Sequence, residues 1–407
     1  MFIQKLSFQS PAQILLGLVF LAFMGFESQG LSQDDKTDQS TAGESQSVQS
    51  GTPKISASET RLVRSVYELT KTTKSAKELS NFIAQCEAAQ RQDLVPANHK
   101  YVTSLKGWAL NLRGGKRLEL SKQLKLVGNS QHATSFEQAM SDFDEAIVCD
   151  PERYRSWMSR GIAHAESENF RKAALDFTNV VKMKTELSAG WFNRAESLYH
   201  LKQFEAAIDD YQVAISLDSD DAQSFTGRGH CQFALGNYQA ALTDYKVVAE
   251  LVPENPMVYI NLGDALQRME KWEEALVNFE KSLSIKHSAI AYQRSAWLKA
   301  TSPQDETRNA QEAVQLAKRA IRLAGDSAIN LDTLAAAEAA VGNFEVAKKT
   351  QAKVVSLVDF EEDVVEQEDI KPYKARLALY QQGKAFTQAE DAEGETEGVD
   401  SNKDSDR

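Results

Sequence analysis

At 407 residues the chain exceeds one ordinary domain, although an array of stacked units reaches that length without separate cores. It holds only 20 glycines and 8 prolines and is rich in Ala, Leu, Glu and Lys, a composition that favours helices over sheets. The formal charge of −12 is concentrated in two stretches, −7 over residues 359–369 and −6 over 387–407, so the rest is nearly neutral and offers no basic surface for nucleic acid.

The amino terminus reads as an export signal over residues 1–30. Lys5 supplies the positive start, Ile14 to Phe26 form an apolar run of 13 residues, and Ser28-Gln29-Gly30 offers small residues at the cleavage spacing. The run is short for a membrane span, which needs about 20 residues. Two readings stay open, a cleaved signal peptide and a retained amino-terminal anchor. No cysteine closely follows the run, which argues against lipid attachment of the bacterial lipoprotein type. Residues 31–56 are rich in Ser, Gln, Thr and Asp without apolar periodicity, and read as a disordered linker. The three cysteines, Cys86, Cys149 and Cys231, are too few and too scattered for a disulfide framework and read as thiols buried in helices.

Helical spacing begins near Ala57, with Ser58 at the cap and Leu62, Val63, Val66 and Leu69 on one stripe. A second helix is predicted over Ala76 to Gln90. From residue 154 the chain repeats every 34 residues, in units 154–187, 188–221, 222–255 and 256–289. The fourth place is aromatic (Trp157, Trp191, Phe225, Tyr259) and the eighth is small (Gly161, Ala195, Gly229, Gly263). The seventeenth is aromatic (Phe170, Phe204, Tyr238, Trp272), the twentieth is always alanine (Ala173, Ala207, Ala241, Ala275), and the twenty-fourth is Phe177, Tyr211, Tyr245 and Phe279. Small residues let helices approach closely and aromatics fill the space between them. Each unit therefore reads as two antiparallel helices, A and B, turning near Asn169, Gln203, Asn237 and Lys271.

This pattern resembles the tetratricopeptide repeat. The resemblance implies an all-α, right-handed superhelical solenoid of antiparallel helix pairs over residues 57–386. Weaker copies flank the regular units. Ala139, Phe143, Ala146 and Pro151 mark one B helix, whose A helix is expected at about Lys100–Arg113 with an insertion near Gly114–His132. Ala313, Ala317 and Ala320 mark another, after a lengthened loop from Thr301 to Asn309. A further unit starts at about Ala328, and a cap helix is expected at about 372–386, giving seven or eight pairs in all. The tail, residues 387–407, reads as disordered and acidic, and 359–369 as a solvated spacer without the central glycine of a calcium loop. The stretch Ser295-Ala296-Trp297 to Pro303, with Arg308 and Ala313–Ala317, is similar to a unit of exported bacterial tetratricopeptide proteins. Leu331-Asp332-Thr333-Leu334-Ala335 and Trp108 to Gly114 resemble two more of their elements. Lys299 and Glu338 depart from that pattern, where leucine and tyrosine are usual.

Motifs for chemistry are lacking. His164, His200 and His230 fall at different places of their units, with no His-x-x-x-His or Cys-x-x-Cys spacing, so no metal or cofactor is expected. Arg113-Gly114-Gly115-Lys116 lacks the spacing of a phosphate loop, and no nucleophile–base pair is evident. No catalytic residues are assigned and the chain does not read as an enzyme. Arg160, Arg194 and Arg228 at the seventh place accompany Asp176, Asp210 and Asp244 at the twenty-third, and the fourth unit changes both, to Leu262 and Asn278. This covariation within the chain predicts an Arg–Asp pair joining helices A and B, a stacking device rather than a ligand site.

In the resembling fold helix A faces a groove, and the resemblance implies that its outward places bind a protein or peptide partner. The groove candidates are Met158, Phe192, Asn193, Glu196, Tyr199, His230, Phe233, Asn261, Asp264 and Arg268, aromatics for area and polar groups for a peptide backbone. The clamp by which tetratricopeptide cochaperones read a chaperone's acidic terminus is not met: Met158, Phe192, Thr226 and Ile260 stand at the fifth place, where it needs a lysine. The sequence thus reads as an exported scaffold or adaptor, periplasmic or secreted in a bacterium. The other open reading is an accessory subunit of a cell-envelope or secretion machine, held at the inner membrane by an uncleaved amino terminus, the only membrane contact expected.

Overall fold

A computed structural model describes residues 56–71, 73–360 and 370–388, the Phe360 side chain excepted. The segments expected to be a signal or anchor, almost all of the expected linker, most of the acidic stretch 359–369 and residues 389–407 lie outside the described residues. Within them the chain is all helical: α1 (Ala57–Thr70), α2 (Ala76–Gln90), α3 (Pro96–Leu126), α4 (Gln131–Cys149), α5 (Tyr154–Glu166), α6 (Phe170–Met183), α7 (Ser188–His200), α8 (Phe204–Leu217), α9 (Ala222–Ala234), α10 (Tyr238–Leu251), α11 (Pro256–Arg268), α12 (Trp272–Ile285), α13 (Ala289–Thr301), α14 (Ala310–Ala324), α15 (Ala328–Ala340), α16 (Phe344–Phe360) and α17 (Lys371–Gln381). The expected all-α architecture of helix pairs is present. No helix among the described residues is long and apolar enough to cross a membrane. The helices fall into two compact units that divide after Ser159, inside α5.

The first unit begins at Ser56, whose hydroxyl caps α1 by accepting from the Glu59 amide, so the cap lies two residues before the expected Ser58. A reciprocal Ser75–Glu78 capping box starts α2. The core joins Val66, Leu79, Phe82, Ile83, Val102, Leu110 and Ala146, with Phe82 edge-on to Trp108 at 5.8 Å. Cys86 lies buried there, its thiol pushed up to about 12 by desolvation.

The expected break after Arg113 is absent. α3 runs unbroken for 31 residues through Gly114 and Gly115 to Leu126. Packing outweighs the roughly 1 kcal/mol that a helical glycine costs relative to alanine: a Cβ on Gly114 would stand 2.6 Å from Phe143 Cε1, so only glycine admits the ring. Arg113 pairs with Asp142 through two bonds of 3.0 and 2.6 Å. These partners lie 29 residues apart where Arg160 and Asp176 lie 16 apart. The extra residues lengthen both helices and form no inserted loop.

In the second unit the predicted contacts recur. Arg160, Arg194 and Arg228 each grip Asp176, Asp210 and Asp244 with Nε and a terminal nitrogen, at 2.6 to 2.9 Å. A Cβ at Gly161 would lie 2.6 Å from Phe177, and one at Gly229 2.6 Å from Tyr245. The fourth-place tryptophans anchor the preceding loop, Trp157 Nε1 donating to the Pro151 carbonyl at 2.9 Å in the first unit and Trp191 Nε1 to that of Thr185 at 2.8 Å in the second. Each turn between A and B has one residue in the left-handed region: Glu168, Lys202, Gly236 and Glu270, at φ 61°, 58°, 78° and 60°. The unit after α11–α12 starts at Ala289, 33 residues after Pro256, so the register slips by one there.

The cap helix is shorter than expected. α17 stops at Gln381, because Gly383 takes φ 71° and the chain leaves the helix axis. Arg376 fastens it by two bonds of 2.9 Å to Asp332, the aspartate of the Leu-Asp-Thr-Leu element. Gln351 Nε2 also donates to Asp332 at 2.8 Å.

Candidate functional site

The outward places of helices A carry most of the candidate residues, and the structure divides them into two kinds. The fifth place is interior: Met158, Phe192 and Ile260 are only 5%, 8% and 1% exposed. Phe192 lies edge-on to Tyr211 at 6.0 Å, and so fills the space between A and B rather than lining a surface. Met158 belongs to the first unit. The sixth, ninth, twelfth and thirteenth places remain for contact with a partner.

There the second unit builds a polar row that steps from helix to helix. On α7, Glu196 accepts a short hydrogen bond from the Tyr211 hydroxyl. Gly227 permits this reach, since a Cβ there would lie 2.5 Å from the Tyr211 oxygen. Burial pushes the Glu196 carboxyl up to about 7, against the lowering effect of the Tyr211 bond. Tyr199 stands 6.4 Å from the His230 ring of α9, and His230 Nε2 meets Asn261 Nδ2 of α11 at 3.2 Å. Burial holds His230 down at about 4, so the ring is neutral at pH 7 and can accept from the amide.

Farther along, Asp264 of α11 pairs with Arg294 of α13 at 2.8 Å, and desolvation still raises its carboxyl above the ordinary value. Phe233 lies edge-on to Tyr238 at 5.2 Å, and Arg268 donates to the Tyr238 hydroxyl at 3.1 and 2.9 Å. Asn193 Nδ2 donates to the Ala189 carbonyl of its own helix at 2.7 Å. The row thus joins Glu196, Tyr199, His230 and Asn261 in one run, Asp264 and Arg294 in a second, and Phe233, Tyr238 and Arg268 in a third patch.

Three residues that build or support this face were missed by the sequence reading. Tyr211 is a B-helix residue read as core filler, and only Gly227 of the next unit exposes its hydroxyl to Glu196. Arg294 and Thr301 occupy the sixth and thirteenth places of a unit starting at Ala289, a register hidden by the one-residue slip. The Ser288 cap, which accepts from the Ala291 amide as Asn255 does from that of Met257, was the available signal. Among the described residues no three His, Cys, Asp or Glu side chains gather to hold a metal ion.

Family models of the tetratricopeptide repeat match residues 158–222 and 257–289, and a TPR repeat model matches 229–270. Among curated proteins no sequence matches this chain. Similar solved structures include PilF of Pseudomonas aeruginosa, 14% identical over 53% of this chain and 94% of that one, with a TM-score of 0.43. MamA of Desulfovibrio magneticus RS-1 is 17% identical over 42% and 94%, with a TM-score of 0.38. YrrB, described as a TPR protein with an unusual peptide-binding site, is 21% identical over 43% and 88%, with a TM-score of 0.37. The family matches fall on the helix pairs where small residues receive the aromatic rings, and the chain is a tetratricopeptide repeat protein.

Proposed function

We propose that this chain is a non-enzymatic scaffold that holds an extended protein segment against the A-helix face of α7, α9, α11 and α13. The observation that carries the reading is the polar row from Glu196 to Arg294, which places donors and acceptors on four successive A helices. An extended backbone offers a donor and an acceptor at every residue and needs such a series. The amino-terminal Lys5 and the apolar run from Ile14 to Phe26 support export to the periplasm or beyond as the setting. Scaffolding is also what a fold of stacked helix pairs supports.

Photo-crosslinkers at Phe233 and Arg268 test the face, with Leu175 and Val277, exposed on the B helices, as controls. Partner capture at the first two positions is expected, and capture only at the controls rejects the reading. A mature amino terminus near Leu31 would show cleavage and rule out the retained anchor.

A further inference from the structure

Beyond α17 the chain does not simply end on the stack. Lys384 to Thr387 are non-helical and run back to the A-helix face. Phe386 is 4% exposed, its ring 5.8 Å from that of Trp297, with the Arg376 guanidinium 5.4 Å over it. Two residues on, Gln388 makes three hydrogen bonds. Its amide N–H donates to the Thr301 carbonyl at 2.9 Å, one of the orphan acceptors at the end of α13. Its side-chain nitrogen donates to Thr301 Oγ1 at 2.7 Å, and its side-chain oxygen accepts from Gln267 Nε2 of α11 at 2.8 Å. Gln267 Oε1 is buried there without a partner, which leaves an acceptor for one more N–H.

We infer that Gln267, Trp297 and Thr301 form a peptide-binding site that the chain's own residues 385–388 fill as a tethered ligand, to be displaced by a partner segment of the same chemistry. That chemistry is an extended stretch with an aromatic residue and, two places later, a side-chain amide. An apolar lid for the last helices needs Phe386 alone. It does not need both ends of the Gln388 amide read by two helices whose contact residues are 34 positions apart in the chain. A tether supplies an effective concentration of roughly millimolar, so a competing segment must bind well or arrive in excess. The inference rests on the A-helix face being a peptide-binding surface, and it names the occupant.

Hydrogen exchange on the full chain is the first test. The Gln388 amide is expected to exchange at least tenfold more slowly than in a free peptide of residues 383–390, and millimolar free peptide is expected to speed it. Exchange at the free-peptide rate overturns the inference. The second test is fluorescence anisotropy with that peptide labelled, on the full-length Gln388→Ala chain, a substitution at the margin of the fold. Binding at least tenfold tighter than to the unmodified chain is expected, and Gln267→Ala added to this variant should abolish the gain. Equal binding to both chains, or no binding to either, overturns the inference. If crosslinking captures a partner at Phe233 and Arg268 while Gln388 exchanges freely, the tethered ligand fails and the binding face stands.

Discussion

The Arg–Asp pairs show how much hangs on single side chains. Asp210 is buried and its two oxygens are both taken by Arg194, so Arg194→Ala strands a carboxylate in the stack. We expect a loss of about 3 kcal/mol in urea denaturation, because breaking such a pair costs more than the pair contributes. The double variant Arg194→Leu with Asp210→Asn copies Leu262 and Asn278 of the fourth unit, and should recover more than half of that loss. A double variant no more stable than the single one would remove the covariation argument. Glu196 and His230 give a second test, with opposite signs. The folded Glu196 carboxyl, at about 7, lies above its ordinary 4.5, so its contribution to stability is full below that value and is lost as pH rises to about 7. The folded His230, at about 4, lies below its ordinary 6.5, so its contribution is present above 6.5 and is lost as pH falls. Between about pH 4.5 and 6.5 the two slopes oppose each other. Glu196→Gln should leave stability rising with pH across that window, and a thermal midpoint that stays flat would contradict the assignment. The Arg–Asp pair was legible because two positions change together within one chain. The Glu196–Tyr211 contact was not, because it depends on a glycine contributed by the next unit.

At the scale of the element, the turns between A and B show what a periodic pattern hides. Glu168, Lys202 and Glu270 adopt left-handed backbone that only Gly236 of the four is suited to. Left-handed geometry costs an L-residue about 1–2 kcal/mol, partly offset by glycine's greater loss of freedom on folding. Each change to glycine should therefore stabilise by roughly 0.5–1 kcal/mol, raising the thermal midpoint; a fall at all three sites would contradict it. The helix α3 teaches the converse. Arg113-Gly114 occupies the place of Arg160-Gly161, and Asp142 and Phe143 correspond to Asp176 and Phe177, but extra turns separate the two halves. The insertion expected near Gly114–His132 is largely helical, and Gly114 is the seat of a ring. The departures at Lys299 and Glu338 also find partners through packing, with Lys299 bonded to Glu280 at 3.1 Å and Glu312 at 3.0 Å. Glu338 takes Lys318 at 3.0 Å and Asn343 at 2.8 Å. Local pattern sets the helices, and the neighbouring helix decides which polar groups they bury.

At the largest scale, within the second unit, stability is shared between neighbouring pairs. One apolar cluster takes Tyr245 and Val248 from α10, Leu262 and Leu266 from α11, Phe279 from α12 and Leu298 from α13. Phe279 is fully buried at its centre. Phe279→Ala should cost about 3–5 kcal/mol by opening a cavity. Because no pair buries its apolar face alone, hydrogen exchange should quicken in α9–α10 and α13 as well as in α11–α12. Acceleration confined to residues 256–285, or a loss under about 1 kcal/mol, would contradict the shared core. Boundaries between the repeats of α9–α13 are therefore conventions of sequence, not of energy.

The sequence by itself determined the helix pairs, the regular register and the Arg–Asp device, because each depends on residue types recurring at a fixed spacing along one chain. The tertiary structure alone decided which outward places stay outward, since Phe192 and Ile260 are covered by packing that spacing does not encode. It also decided the return of Phe386 and Gln388 to the A-helix face. That contact joins residues 121 positions apart in the chain, and no local period carries such information.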